Sequence, residues 1–476
     1  MSAGTLEAGE YDLQVAKIVS STGKEIPIDL AILSITIFED IDEFSLIGEL
    51  VIQDSMNLAS YAPLIGQEYL KLKIATPTIN EPEYIIDFTE NPFMITTIDK
   101  REGEGHKTQQ TVISFVSREL VVNQRKKVTR TLTGSYDKIV KQLLRGDLEC
   151  KKRIYWETSA ENKKFVAPNQ SPMAIIDKAM KHAVSKKHQD PTFKFFESLR
   201  GYNFRTLGNL YDQEPLMTYE TFEEGTKTKG GRPDTDTDLR SILNYVITGT
   251  PDSTYNYKEG MYASELVVHN IITKNYTKHG YNYINEFGSE RHIDKAPLVN
   301  TLKITKDAKK NVSSFPAKTF LAPVSCLGEG NPIDSSFEDS SNNFSYTSNT
   351  PDKHILKRNS NLGMLETGLS VNIFVHGNTA LCCGDTVNCH IPYVAATKTE
   401  DNEKYDNLYQ GKFLVTKVRH DFKRDTKKYE MSLILKKDSL PTPLVAPGDN
   451  PEPISEKDVE EYSDIWIDTW ESSEYV

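Results

Sequence analysis

The chain has 476 residues, 38% hydrophobic and 26% charged, with a formal net charge of −12. That length exceeds one ordinary core and calls for several domains, while the acidic balance argues against a protein that grips nucleic acid by neutralising phosphates. No apolar run approaches the ~20 residues of a membrane span, Met1–Glu7 lacks the basic and apolar regions of a signal peptide, and five cysteines are an odd number for a disulfide framework, so folding in a cytosol is expected.

In chain order, Tyr11–Ile18 and Ile26–Phe38 read as strands, and Glu39-Asp-Ile-Asp-Glu43 links them to Leu46–Gln53. Tyr69–Ile74 alternates apolar and polar residues after a Gly66-Gln67 turn, and Phe93–Ile98 with Thr111–Val116 completes a first tube-like antiparallel β-barrel domain over 1–120. Helical spacing follows. Tyr136, Ile139, Val140, Leu143 and Leu144 lie behind Ser135, and Ile175, Ile176, Ala179, Met180 and Ala183 behind Ser171-Pro172, a capping hydroxyl with proline in the first turn. With a hairpin around Arg200-Gly201, residues 121–212 make a small α+β domain.

Residues 213–254 read as a linker or small accessory domain, with Thr221–Asp238 a polar loop and Arg240–Val246 a helical turn. Tyr262–Asn270, Ile271–Tyr276 and Tyr281–Ile284 read as the opening strands of a second tube-like barrel, over 255–287 and 359–440, interrupted by an insertion at 288–358. Its main body alternates cleanly. Leu369, Val371, Ile373 and Val375 precede a Gly377-Asn378 turn; Gly384-Asp385 leads to Val387, Cys389 and Ile391; Phe413–His420 and Tyr429–Leu435 follow. Residues 441–476 form a Pro-rich and acidic C-terminal tail. The fold class expected is therefore mainly β, with an α+β middle region, two barrels in one chain and small inserted domains.

The two β regions echo each other. Phe93-Met-Ile-Thr-Thr-Ile98 matches Phe413-Leu-Val-Thr-Lys-Val418 in residue character, each followed by a charged link and a further strand. Ile52–Leu58 can be laid over Val375–Leu381, each leading to a glycine turn, Gly66-Gln67 or Gly384-Asp385. Any two β-meanders share a period of two, so the match allows both duplication and chance, with duplication favoured.

Candidate chemistry is sparse. Cys382-Cys383 with Cys389-His390 is the nearest approach to a metal site, but neighbours on a strand point to opposite faces, and free cysteines bury as small hydrophobes. Asp234–Asp238 resembles the start of a calcium loop without its glycine and its bidentate Glu. Asn311-Val-Ser313 and Asn343-Phe-Ser345 are sequons that mean nothing without secretion. There is no Gly-x-Ser-x-Gly elbow, phosphate-cradling glycine loop or His-Glu-x-x-His, and His420 reads as a structural hydrogen-bonding residue. Catalytic, cofactor-binding and metal residues are expected to be none. Gly66, Gly377 and Gly384 are expected as structural turns, and Trp466 and Trp470, set in Pro451–Val476 with its nine acidic residues against the single Lys457, as docking anchors.

Four passages together resemble the baseplate central hub protein of contractile-tailed bacteriophages, related to the hub part of type VI secretion spikes. They are Leu33–Leu58 with Tyr61–Glu68; Pro168–Ala183 with Phe193–Leu210; Gly260–Ser264 through Tyr283; and Val375–Thr379 through Asp438. The resemblance implies a homotrimeric, pseudo-hexameric structural virion protein joining a three-fold tail spike protein to six-fold tail tube or tube-initiator proteins. It also implies contact with other baseplate proteins, phage DNA passing through the lumen without specific binding, no cofactor and no membrane. Its place would be the virion tail baseplate, after synthesis and assembly in the bacterial host cytoplasm. Two readings compete: a tail-associated glycan or cell-wall hydrolase built on β domains, which needs acids of separated pKa in a cleft, and a carbohydrate-binding module array with exposed aromatic platforms.

Overall fold

The computed structural model describes residues 8–20, 22–55, 64–77, 84–104, 108–160, 162–221, 228–229, 232–233, 235–271, 274, 276–299, 315–324, 354–392 and 405–442. The first unit holds β1 (Asp12–Val19), β2 (Ile32–Asp40), β3 (Ile47–Asp54), β4 (Tyr69–Ala75), β5 (Phe93–Glu104) and β6 (Thr108–Ser117). The middle region contributes α1 (Pro172–His182) and the hairpin β7 (Phe193–Ser198) and β8 (Gly201–Thr206). Then come β9 (Thr218–Glu220), β10 (Ile242–Gly249), β11 (Ala263–Asn270), β12 (Tyr276–Asn282), β13 (Lys318–Val324) and α2 (His354–Glu366). Four longer strands follow, β14 (Leu369–His376), β15 (Thr386–Pro392), β16 (Tyr405–Lys423) and β17 (Lys428–Lys437).

The chain is mainly β. Among the described residues a sheet of 14 strands runs β10-β14-β17-β16-β2-β3-β6-β5-β4-β1, with β15 branching from β16 and β9 beyond it, and the short strands Glu25–Pro27 on β1 and Ile86–Asp87 on β4. Period-two sequence explains the strands: Tyr429, Met431, Leu433 and Leu435 of β17 point inward, and the residues between them are partly exposed. Both units feed one contiguous apolar core, including Ile37, Leu50, Phe93 and Phe115 from the first and Val371, Phe413 and Leu433 from the second. The middle region has its own core, from Val128 to Phe204. It docks on the first unit through buried Lys152, whose Nζ donates to Glu119 (2.8 Å), Glu197 (2.6 Å) and Ser117 (3.2 Å).

The two units have the same strand order. β2-β3-β6-β5-β4 in the first corresponds to β10-β14-β17-β16-β15 in the second. Their registers agree as well. Met94 faces Tyr69 and Val116; Leu414 faces Thr386 and Lys436. Both long strands bulge at a matching position, Thr96 between Ile95 and Thr97, and Thr416 between Val415 and Lys417; β5 bulges again at Asp99, between Ile98 and Lys100, where β16 does not. Each bulged threonine donates its hydroxyl across the ladder, Thr96 to Ser114 O (3.3 Å) and Thr416 to Ile434 O (3.0 Å). The strands β2 and β10 share a bulge as well, at Leu33 and Leu243, and β10 adds a second at Thr248. A period of two does not dictate bulge positions, so chance similarity fails here and duplication stands. The copies differ at the outer strand, where β1 runs antiparallel to β4 but β9 runs parallel to β15.

The copies are joined edge to edge inside the chain. Beyond its bulge, β16 pairs antiparallel with β2, from Lys417 opposite Asp40 to Lys423 opposite Ser34. Thr36 donates to Asp421 at 2.8 Å and Lys417 pairs with Asp40 at 2.6 Å across this seam.

Two expectations are corrected. The strands within 255–287 do not open the second barrel: β11 pairs with β12 and, in parallel, with β13 in a separate three-stranded sheet. The strand that opens the second copy is β10, which overlaps Arg240–Val246, the stretch read as a helical turn; the helix there is Thr235–Arg240. The inserted region therefore lies between β10 and β14. Period-two alternation marks a strand without naming its partner.

Candidate functional site

With no constellation for chemistry legible in the sequence, the candidate site is the set of corners and seams that hold the duplicated units. At the first corner the Glu68 carboxylate accepts the amides of Ile65 (2.9 Å), Gly66 (3.0 Å) and Gln67 (3.0 Å), and the Glu68 carbonyl accepts Ile95 N at 2.8 Å. At the second, Asp385 accepts Cys382 N at 2.9 Å, and its carbonyl accepts Val415 N at 2.8 Å. Each acid takes the amide three residues before it, so a carboxylate shapes the same corner in both copies. Only the second is clamped from outside: Arg200 of the middle hairpin pairs with Asp385 and donates to Ala380 O at 2.9 Å. Burial raises the Asp385 carboxyl pKa, against the opposing pull of Arg200.

Gly66 and Gly384 take left-handed φ of +91° and +86°, conformations that glycine reaches cheaply. A Cβ on Gly384 would also stand 2.6 Å from the Phe196 ring. Gly377 is different. It lies outside the left-handed region, and its constraint is the Tyr429 ring packed directly against it. Trp466 and Trp470 lie outside the described residues.

Beside the seam sits a buried polar knot. Glu39 of β2 accepts Cys383 N (2.8 Å) and Leu199 N (3.3 Å), and its Oε1 lies 3.0 Å from His420 Nε2; His420 Nδ1 meets Tyr429 OH at 2.7 Å. Glu39 and His420 are fully buried. One carboxylate thus ties together the first unit, the second unit and the middle hairpin. The sequence reading placed His420 correctly as a hydrogen-bonding residue but passed over Glu39 as part of a polar link. The available signal was its phase: Ile35, Ile37 and Glu39 all fall on the inward face of β2.

The cysteines behave as hydrophobes. Cys382, Cys383 and Cys389 are buried, and burial pushes the Cys389 thiol up to about 12. Among the described residues no group of three or more His, Cys, Asp or Glu could hold a metal ion. The candidate calcium segment overlaps the helix Thr235–Arg240, and both sequons lie outside the described residues. A polar cavity of about 130 Å³ is lined by residues including His188, Asp190, Glu290, Arg291 and Asp438. Its carboxylates are already engaged. Asp190 accepts Thr192 N (2.9 Å) and Gly208 N (3.1 Å), Asp438 accepts Ile293 N (3.2 Å) and meets His292 at 2.8 Å, and Glu290 accepts from Asn361 (2.7 Å) and Tyr281 (3.0 Å). These acids brace loops instead of opposing each other across a cleft.

No family model matches the chain, and no curated protein matches it. Among solved structures it is similar to a tail protein from Neisseria meningitidis MC58, at 12% identity and TM-score 0.48 over 90% of this chain and 97% of that one. It is also similar to the prophage MuSo2 43 kDa tail protein from Shewanella oneidensis, at 7% identity and TM-score 0.46 over 89% and 98%. A third likeness is to an E. coli type VI secretion system component described as structurally similar to T4 bacteriophage tail proteins gp27 and gp5. Here identity is 8% and the TM-score 0.42, over 92% and 80%. None of these likenesses assigns a residue a role.

Proposed function

We propose that this protein is a structural subunit of a phage contractile-tail baseplate hub, a homotrimer that adapts a three-fold spike to a six-fold tail tube. The observation that carries the reading is the internal duplication. Two copies of one strand unit, alike in strand order and pairing and sharing two bulge positions, lie side by side in one sheet. Three such chains present six near-equivalent units while keeping three-fold identity, which is what a joint between those symmetries requires. The sequence resemblance supplies the particle. In this reading phage DNA passes through the lumen without specific binding, spike and tube proteins are the partners above and below, and the chain does no catalysis.

The geometry favours scaffold over hydrolase, because the buried acids accept amide hydrogens or pair with cations and so are committed to the fold. Mass photometry of the purified protein, followed by class averages viewed down the ring axis, tests the proposal. The expected result is a trimer with six similar lobes. A monomer at all concentrations, or a ring without pseudo-six-fold lobes, would refute it.

A further inference from the structure

The seam inside the chain has an unfilled counterpart. Within the chain, the end of β16 pairs with β2. Their equivalents are the end of β5 and the strand β10. Among the described residues, β5 pairs with β4 only through Phe93 and Met94, and its outer side beyond the Thr96 bulge has no strand partner. Among the described residues, the strand β10 pairs with β14 on one side and ends the sheet on the other. One strand is therefore missing a right-hand neighbour and the other a left-hand one.

We propose that β5 of one copy of this chain pairs antiparallel with β10 of the next copy, reproducing between chains the seam that β16 and β2 make within one. The register follows from residue equivalence. Lys100, Arg101, Glu102 and Gly103 face Val112, Thr111, Gln110 and Gln109, as Arg419, His420, Asp421 and Phe422 face Ser432, Met431, Glu430 and Tyr429. Tyr245, Val246 and Ile247 face Ile373, Asn372 and Val371, as Ile35, Thr36 and Ile37 face Leu50, Glu49 and Gly48. Carrying over His420 opposite Ile37, Asp421 opposite Thr36 and Phe422 opposite Ile35 sets Arg101 opposite Ile247, Glu102 opposite Val246 and Gly103 opposite Tyr245.

Exposure points the same way. On β10, Leu243, Val246 and Ile247 are 45%, 49% and 44% exposed, although the strand carries none of the lysines or prolines that guard a natural edge. The facing stretch of β5 is charged, yet so is its equivalent in β16, which does pair: Lys417, Arg419 and Asp421 lie along the internal seam. Pairing β5 to β10 is head-to-tail, so it closes a ring or runs on. The closure at three copies rests on the hub reading above; the edge assignment does not.

Cysteine cross-linking of the full chain tests the register. In a Cys326→Ser background the remaining natural thiols, Cys150, Cys382, Cys383 and Cys389, are buried. Glu102→Cys with Val246→Cys places two thiols at the counterpart of the Asp421–Thr36 contact. Arg101→Cys with Ile247→Cys offers a second in-register pair on the opposite face, should the first variant misfold. Glu102→Cys with Ile247→Cys is slipped by one residue and points its thiols to opposite faces. Under mild oxidation both in-register variants are expected to lose the monomer band to a reducible covalent trimer, and the slipped variant is not. A native trimer by mass photometry without in-register cross-links would overturn the edge assignment and leave the hub reading standing. A cross-linked ring of another size would keep the edges and overturn the three-fold reading. No association at high protein concentration would overturn both.

Discussion

Lys437 ends the inward series of β17 after Tyr429, Met431, Leu433 and Leu435, so a cation occupies an apolar phase. Its Nζ donates to Gln410 O at 2.9 Å and lies 4.0 Å from Asp294, and burial lowers its pKa to about 8. The unfolded chain, with an ordinary lysine near 10.5, binds the extra proton between pH 8 and 10.5, so this group's penalty is full below pH 8 and fades as pH rises. Lys437→Met is expected to raise stability at pH 7 by up to about 3 kcal/mol, with the advantage over wild type shrinking by pH 9.5. Urea unfolding of both proteins at the two pH values checks it; a pH-independent difference would refute it. The glycines give a second residue-scale prediction. Gly384→Ala meets both a left-handed φ and the Phe196 ring, whereas Gly23, with φ +81° and open space around its Cβ position, meets only the first. The Gly23→Ala loss should be about 1 kcal/mol and the Gly384→Ala loss clearly larger; equal losses in thermal melts would remove packing from the argument. Alternation was legible in the sequence at this scale. The reason for Gly377 was not, because it depends on Tyr429, more than fifty positions downstream.

Among elements, the knot at Glu39 is where three parts of the chain meet. Glu39→Ala would strand the amides of Cys383 and Leu199 and unpair His420 Nε2 in a dry interior. A loss of about 3 kcal/mol or more is expected, read as a fall in the denaturation midpoint. A loss under about 1 kcal/mol would mean the three donors find other acceptors. At the same scale the laying of Phe93 on Phe413 and of Ile52 on Val375 was legible from residue character, and the registers give the same equivalences. What failed was partner choice. Ala263–Asn270 was a strand with the wrong sheet assigned, and Ile242–Gly249 a strand read as a helical turn, since its ladder partner β14 lies beyond the inserted region and its apolar residues show no clean alternation.

For the whole molecule, the hub reading predicts that homogeneous protein releases no products from peptidoglycan or a polysaccharide panel; measurable turnover would revive the hydrolase reading. It also gives the acidic tail a task. With nine acidic residues over Pro451–Val476 against Lys457, and two tryptophans, Trp466 and Trp470, the tail suits a basic patch on a neighbouring baseplate protein. Deleting Glu456–Val476 is expected to leave the trimer intact and to weaken that binding, most clearly at low salt. Unchanged binding at low salt would leave the tail a solubilising role only.

The seam between β16 and β2 joins residues 385 positions apart, as at Thr36 with Asp421. At translation rates of ~5–20 residues per second, β2 waits roughly 20–80 s on the ribosome before its partner is made. Throughout that interval the first unit presents the edge that β16 will fill, and a neighbouring nascent chain carries strands of the same order and bulge. Domain swapping between chains born on one messenger is then a hazard written into the duplication. The same waiting time gives the first unit, complete by Ser117, a long head start in which to fold alone.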